Sequence, residues 1–214
     1  MNKPLKFATA LFLLALVLGY LFREPLKELA SAQLTRDMFV AGDYDEFDPG
    51  PALGSHFPGL QASFQGRRIT LLEEFAGLNG TVFIASRSFD WCPYCQRQII
   101  QLQETKAHFD AAGISLVAIT YDKPALTESF ISRHNITIPV LSDEKALSFK
   151  TLGILNQDYS PGDFQYGIAY PGMIVIDPQG KVVGKLFLEA YSSRVDSTAA
   201  LLFAMSALGL ESPP

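Results

Sequence analysis

"SFDWCPYCQRQ", residues 88–98, holds both cysteines of the chain, Cys92 and Cys95, with Pro93 and Tyr94 between them and Trp91 in front. The apolar run "TVFIAS" (81–86) precedes it, and behind it Ile99, Leu102 and Phe109 recur at helical spacings up to Gly113. The motif therefore sits where a buried strand turns into a helix. Pro93 suits the first helical turn, because its missing N–H would have had no intrahelical partner there. Cys92 then caps the helix and faces free backbone N–H groups and the positive end of the helix dipole, both of which favour thiolate over thiol. Cys95, one turn further in, can attack a mixed disulfide formed at Cys92. On this reading Cys92 is the exposed nucleophile and Cys95 the buried resolving thiol.

Outward from the motif, strands and helices alternate. "QASFQGRRITLLEEF" reads as a short hairpin around Gly66 running into a polar turn. "ISLVAIT" (114–120) is a buried strand, "TESFISRHN" a helix, "IPVLSD" an extended segment and "EKALSFKTLG" another helix. "GMIVID" and "KVVGKLFLE", joined by "PQG", predict an antiparallel hairpin, and "SSRVDSTAALLFAMSALG" closes with a helix. The strand–helix–strand order predicts a crossover joining parallel strands. The expected fold class is α/β: a central mixed sheet with helices on both faces, plus an N-terminal apolar helix.

That apolar helix is expected at Phe7–Phe22, an uncharged run preceded by Lys3 and Lys6 and closed by Arg23. Its 16 residues fall between a cleaved signal and a full span of roughly 17 to 25. The nearest small-residue cleavage site, Ala30-Ser31-Ala32, lies far beyond it behind four charged residues, which favours an uncleaved membrane anchor. Positive residues on the short side place that end in the cytoplasm and the rest of the chain on the extracytoplasmic side, an oxidising compartment. The expected organisation is an anchor over 1–24, an acidic linker over 25–54, broken by Pro49, Gly50 and Pro51, and a folded domain over 55–212. A net charge of −5 provides no broad basic face, so nucleic acid is excluded as a partner.

Competing uses of the cysteines are zinc and a structural link. Cys92, Cys95 and His108 match three positions of a two-Cys, two-His finger, but the next histidine, His134, is too distant to complete it. No metal is therefore expected, and the two thiols need no cofactor. His56, His108 and His134 read as solvated. A disulfide across two intervening residues closes too small a loop to stabilise the chain much. Trp91 offers a flat apolar surface to a partner. Pro171, in "YPGMIVID", stands directly before an apolar strand, where a cis bond would expose a backbone edge near the cysteines.

The element order, "DWCPYC" after a strand and "YPGMIVID" before the last hairpin resemble the thioredoxin-like superfamily, in its alkyl hydroperoxide reductase and thiol-specific antioxidant branch, over about residues 55–210. The tetrad "CPYC" is similar to that of glutaredoxins. The resemblance implies a redox-active Cys92–Cys95 pair, a cis-proline at Pro171 facing the disulfide, and substrate contacts at Trp91, Pro93, Tyr94 and Pro171. It implies a thiol–disulfide oxidoreductase acting on protein or small-molecule disulfides and served by a thiol reductant. The alternative is a peroxiredoxin-like enzyme in which Cys92 attacks a hydroperoxide. That branch carries Pro-x-x-x-Thr-x-x-Cys, whereas here Phe89 stands three residues before Cys92. Arg87 and Arg97 are the candidates for a peroxide-activating arginine.

Overall fold

The apolar run at the centre of the sequence becomes the centre of the sheet. In the computed structural model, which describes residue 13 and residues 16–211, "GTVFIA" forms a strand buried at every position, Gly80–Ala85. Alternate side chains of this strand face opposite ways. Val82 and Ile84 enter one apolar cluster, Phe83 and Ala85 a second. A strand without a polar face must lie inside a sheet covered on both sides.

The strands in chain order are β1 (Phe39–Val40), β2 (Ala62–Phe64), β3 (Arg67–Ile69), β4 (Gly80–Ala85), β5 (Ile114–Thr120), β6 (Val140–Ser142), β7 (Gly172–Ile176), β8 (Val182–Phe187) and β9 (Arg194–Val195). Seven of them form one mixed sheet in the order β3-β2-β6-β5-β4-β7-β8. β4, β5 and β6 run parallel, and β7 returns antiparallel beside β4 with Phe83 opposite Ile174. β2 and β3 form the expected hairpin; both residues of its tight turn, Gln65 and Gly66, lie at positive φ (49° and 77°), as a primed two-residue turn requires.

The helices are α1 (Arg23–Leu34), α2 (Pro93–Ala111), α3 (Pro124–Arg133), α4 (Leu147–Leu152) and α5 (Ser197–Ala207), with a 3-10 turn at Glu73–Phe75. α2 packs on β5 and α5, and α5 on β8. Ile99, Leu102 and Phe109 of α2, Phe130 of α3 and Leu201 of α5 enter the first cluster; Phe149 and Leu152 of α4 enter the second. Helices thus cover both faces. Asp196 caps α5 by accepting from the N–H groups of Thr198 and Ala199. It also takes a 2.6 Å bond from the Gln101 side chain, which ties α2 to the start of α5.

The chain divides into two compact units, one up to Asp37 and one from Met38 onward. In the first, residues 16–21 are helical and α1 buries no side chain. Half of the membrane helix expected at Phe7–Phe22 lies outside the described residues. Among the described residues no helix is long and apolar enough to cross a membrane. In the second unit, β1 lies within the stretch expected as linker and pairs in parallel with β9, Phe39 opposite Arg194. That two-strand pairing has the largest consequence for the chemistry.

Candidate active site

Residues after the carboxyl ends of β4 and β5 converge on one place, the usual location for a site in an α/β sheet. The chain leaves β4 through Ser86, Arg87, Ser88 and Phe89, all buried, and reaches Cys92, the cap of α2. Cys92 is extended (φ −92°, ψ 102°), and its sulfur accepts from the Cys95 backbone N–H at 3.3 Å. Pro93 occupies the first helical turn. The Gln96 side chain reaches back to the carbonyls of Phe89 (2.7 Å) and Asp90 (3.1 Å), fixing the approach to the cap.

Both cysteines are free, with their sulfurs 2.6 Å apart. Neither is exposed: Cys92 is 2% accessible and Cys95 0%. This corrects the expectation of an exposed Cys92. The cause is the apolar surround, since both thiols belong to the same buried cluster as Phe89 and Tyr94, with Trp91 against its edge.

The buried carboxylate of Asp122, two residues past β5, holds the strand-to-helix loop. It accepts from the Ser88 hydroxyl (2.8 Å), the Phe89 N–H (2.7 Å) and the Thr120 hydroxyl (2.9 Å). Ser88 Oγ in turn accepts from the N–H groups of Asp90 and Trp91. Burial pushes the Asp122 carboxyl above its ordinary range, and the bonds from Phe89, Ser88 and Thr120 only partly offset that.

Arg194 is the second unforeseen member. β9 carries it into the interior, where it is 2% exposed, and its Nη2 lies 3.6 Å from the Cys95 sulfur. Nη1 donates to the carbonyls of Tyr191 (2.9 Å) and Ser193 (2.6 Å), which fixes the guanidinium in place. Burial raises the Cys95 thiol, but the hydrogen bond from Cys92 and the charge of Arg194 overcome this and bring it down to about 5. The Cys92 thiol moves up, chiefly because it holds the proton shared with Cys95, and further through burial. Helix geometry alone puts the charge on Cys92; the proton shared from Cys92 first, and then the guanidinium in contact with Cys95, favour it on Cys95.

The expected substrate-contact residues are distributed around this pair. Trp91 is half-buried, donates Nε1–H to the Tyr121 hydroxyl at 2.9 Å, and lies 5.6 Å from the ring of Phe164, which is exposed. Tyr94 is buried, with its ring edge-on to Tyr191 at 5.4 Å. Arg87 lays its guanidinium over the other aromatic of that pair, 4.9 Å from the Tyr191 centroid. Pro171 is buried and lines a small cleft with Gln98, Ser193 and Arg194, so it stands beside the arginine. Its peptide bond is trans: among the described residues there is no cis bond, which corrects the cis expectation. The trans form is the intrinsically favoured one, and the preceding Tyr170 N–H is already committed to the Ile154 carbonyl.

Arg97, on the first turns of α2, is exposed and takes no part. His56 and His108 are exposed and His134 packs on Phe130 at 4.7 Å, so none of the three joins the cysteines. Among the described residues no cluster of His, Cys, Asp or Glu could hold a metal ion. Asp122 had a sequence signal: an acid just past a buried parallel strand falls at the same sheet end as the motif. Arg194 had none, because it lies 99 residues beyond Cys95.

Comparison with known proteins identifies the family and the fold. Residues 53–185 match the model of the AhpC/TSA family. A Mycobacterium tuberculosis protein that carries a provisional peroxiredoxin name is 28% identical over 91 residues, 42% of this chain and 57% of its own length. The thiol–disulfide oxidoreductase ResA of Halalkalibacterium halodurans is 24% identical over 95 residues, 44% of this chain and 46% of its own. The matches thus span about half the length of these relatives. The crystal structure of a peroxiredoxin-like protein from Aquifex aeolicus superposes with a TM-score of 0.63 at 18% identity, covering 75% of this chain and 90% of the other. The fold is the α/β thioredoxin-like one, with a mixed central sheet.

Proposed function

The chain belongs to the AhpC/TSA family, and on that premise we propose that it is a thiol–disulfide oxidoreductase working through Cys92 and Cys95. The observation that carries this reading is the pair itself: two free sulfurs 2.6 Å apart at a helix start. A disulfide of about 2.05 Å can close between them with a sub-ångström shift.

Cys92, at the cap, is the sulfur that carries the mixed disulfide, and Cys95, behind it, closes the internal bond and releases the partner. In the dithiol form the two sulfurs are close enough to share one proton. Passing it across frees Cys92 to attack, so each sulfur serves as base for the other. Trp91, with the exposed ring of Phe164 beside it, offers the aromatic surface on which a protein substrate would rest. A scrambled-substrate assay tests the reading; a wild type no better than Cys92→Ser would sink it.

Peroxide reduction at Cys92 is the second reading, favoured by the name of the Mycobacterium tuberculosis relative. Against it, the residue three before Cys92 is Phe89, fully buried and without a hydroxyl. Stopped-flow mixing of reduced protein with hydrogen peroxide separates the two, since a rate no faster than a free thiol's excludes a dedicated peroxidase. The tether to a membrane through residues 7–22, with the domain on the extracytoplasmic side, is a further proposal carried by sequence alone. Alkaline carbonate extraction of cell membranes tests it: release of the chain into the supernatant would refute the tether.

A further inference from the structure

The surroundings of the pair bear on the direction in which it moves electrons. Two arginines, Arg87 and Arg194, are buried at 7% and 2% exposure. Among the described residues neither has a carboxylate partner, and the Nε of each is buried without a hydrogen-bond acceptor. Arg194 spends its hydrogen bonds on the Tyr191 and Ser193 carbonyls and on the Cys95 sulfur. A cation out of water and unpaired is costly, and a counter-charge at bonding distance relieves that cost. Among the described residues, the sulfur of Cys95 is the one hydrogen-bond partner of Arg194 that can become an anion.

We propose that Arg194 is a catalytic residue that holds Cys95 as a thiolate and thereby poises the pair to take electrons, making the chain an oxidant of substrate dithiols. This rests on the exchange reading above. In the disulfide form Cys95 carries no charge, so the guanidinium lacks its anion; reduction supplies one. The reduced state is favoured, which is the property of an oxidising disulfide. The step runs as follows. A substrate thiolate attacks Cys92, the Cys92–Cys95 bond breaks, and Cys95 leaves with the electron pair as a thiolate beside Arg194. A second substrate thiolate then attacks the substrate sulfur of the mixed disulfide and forms the substrate's own disulfide. Cys92 departs and takes up a proton. Two substrate thiols are oxidised and the pair is reduced; glutathione disulfide returns it to the oxidised state in the assay below.

The other groups facing Cys95 act in the same sense or are neutral. The nearby backbone of Ser88 and Arg87 favours its anion, and Cys92 shares its proton. The Tyr94 phenol is itself shifted up by burial and stays uncharged at neutral pH.

The test equilibrates the full chain with glutathione redox buffers at pH 7 and reads the reduced fraction by mass shift after alkylation. A hydrogen bond to a charged group contributes enough to predict that Arg194→Met shifts the equilibrium about 10- to 100-fold toward the disulfide, or about 30 to 60 mV at 29.6 mV per decade. Arg194→Lys, which keeps the charge, is expected to retain most of the wild-type poise. A purely structural role would lower the melting temperature of Arg194→Met and leave the equilibrium within twofold of wild type; that result overturns the proposal. Should Arg194→Met not fold, the 240 nm thiolate absorbance of Cys95 in Cys92→Ser decides instead. Titration well below pH 7 supports the proposal, and titration at or above the ~8.5 of a free cysteine overturns it. A wild type that forms no Cys92–Cys95 disulfide in any buffer would refute the exchange reading itself, an outcome distinct from an Arg194→Met variant that exchanges at wild-type poise.

Discussion

Replacing Asp122 with alanine should loosen the loop that delivers Cys92. The carboxylate accepts three bonds, from Ser88, Phe89 and Thr120, at 2.7 to 2.9 Å. Hydrogen bonds to a charged acceptor contribute roughly 1.5 to 3 kcal/mol each, and a buried N–H left without a partner costs about 1 to 3 kcal/mol. Relief from the desolvation that raises the Asp122 carboxyl works in the opposite direction. The hydroxyls of Ser88 and Thr120 can also turn to other acceptors, so the net loss is expected at about 3 kcal/mol, most of it from the Phe89 N–H. Asp122→Asn keeps one carbonyl acceptor and should lose about half as much. Urea unfolding measures both as a shift in midpoint at constant slope. The functional counterpart is exchange with a small disulfide, which should slow in Asp122→Ala because Ser88 no longer fixes the N–H groups of Asp90 and Trp91 before the cap. A loss below 1 kcal/mol with an unchanged slope would refute the view that this carboxylate organises the loop.

Three further perturbations test other parts of the structure. Asp143 accepts from the N–H groups of Leu147 and Phe149 at the start of α4, and its carboxyl is raised to about 6, by burial first. The folded state therefore binds a proton more tightly than the unfolded chain, so stability should fall as pH rises from about 4 through about 6; in urea melts across that range Asp143→Asn should gain on wild type, and parallel curves would contradict this. Gly172→Ala should destabilise by about 1 to 3 kcal/mol, because a Cβ there would collide with the Phe187 ring across β7 and β8; a calorimetric melt unchanged from wild type would show the packing wrong. Trp91→Ala loses the bond to the Tyr121 hydroxyl and the tilted ring contact with Phe164, and should slow exchange with protein disulfides several-fold while leaving oxidised dithiothreitol nearly untouched; equal slowing of both would assign Trp91 a purely structural role.

The parts of this fold legible in the sequence are those whose cause is local. "ISLVAIT" is apolar enough to mark β5 at its observed bounds, Ile114–Thr120, and Pro93 marks the helix start at its observed position. The β2–β3 hairpin follows from Gly66, which takes positive φ without a steric cost; the positive φ of Gln65 is not announced by its residue type. The site is only half legible. Cys92 and Cys95 announce themselves by spacing, but what sets their charge comes from β9, a two-residue strand too short for any periodicity, held by an equally short β1. The motif alone predicts that Cys92 faces solvent, because a helix cap often does. Its burial is decided by aromatic side chains, Phe89 and Tyr94, whose direction depends on tertiary packing.

Sealing both sulfurs sets the tempo of the chemistry. At 2% and 0% exposure the pair meets a reagent only during brief excursions of its cover, so beyond some concentration more reagent cannot hasten the encounter. The same waiting time is protective. Irreversible loss of a cysteine needs a second oxidant molecule to arrive after the first, at the sulfenic acid stage, whereas the neighbouring thiol is already in place and condenses with it to a recoverable disulfide. The pair thus keeps its sulfurs intact by making every intruder slower than their partner.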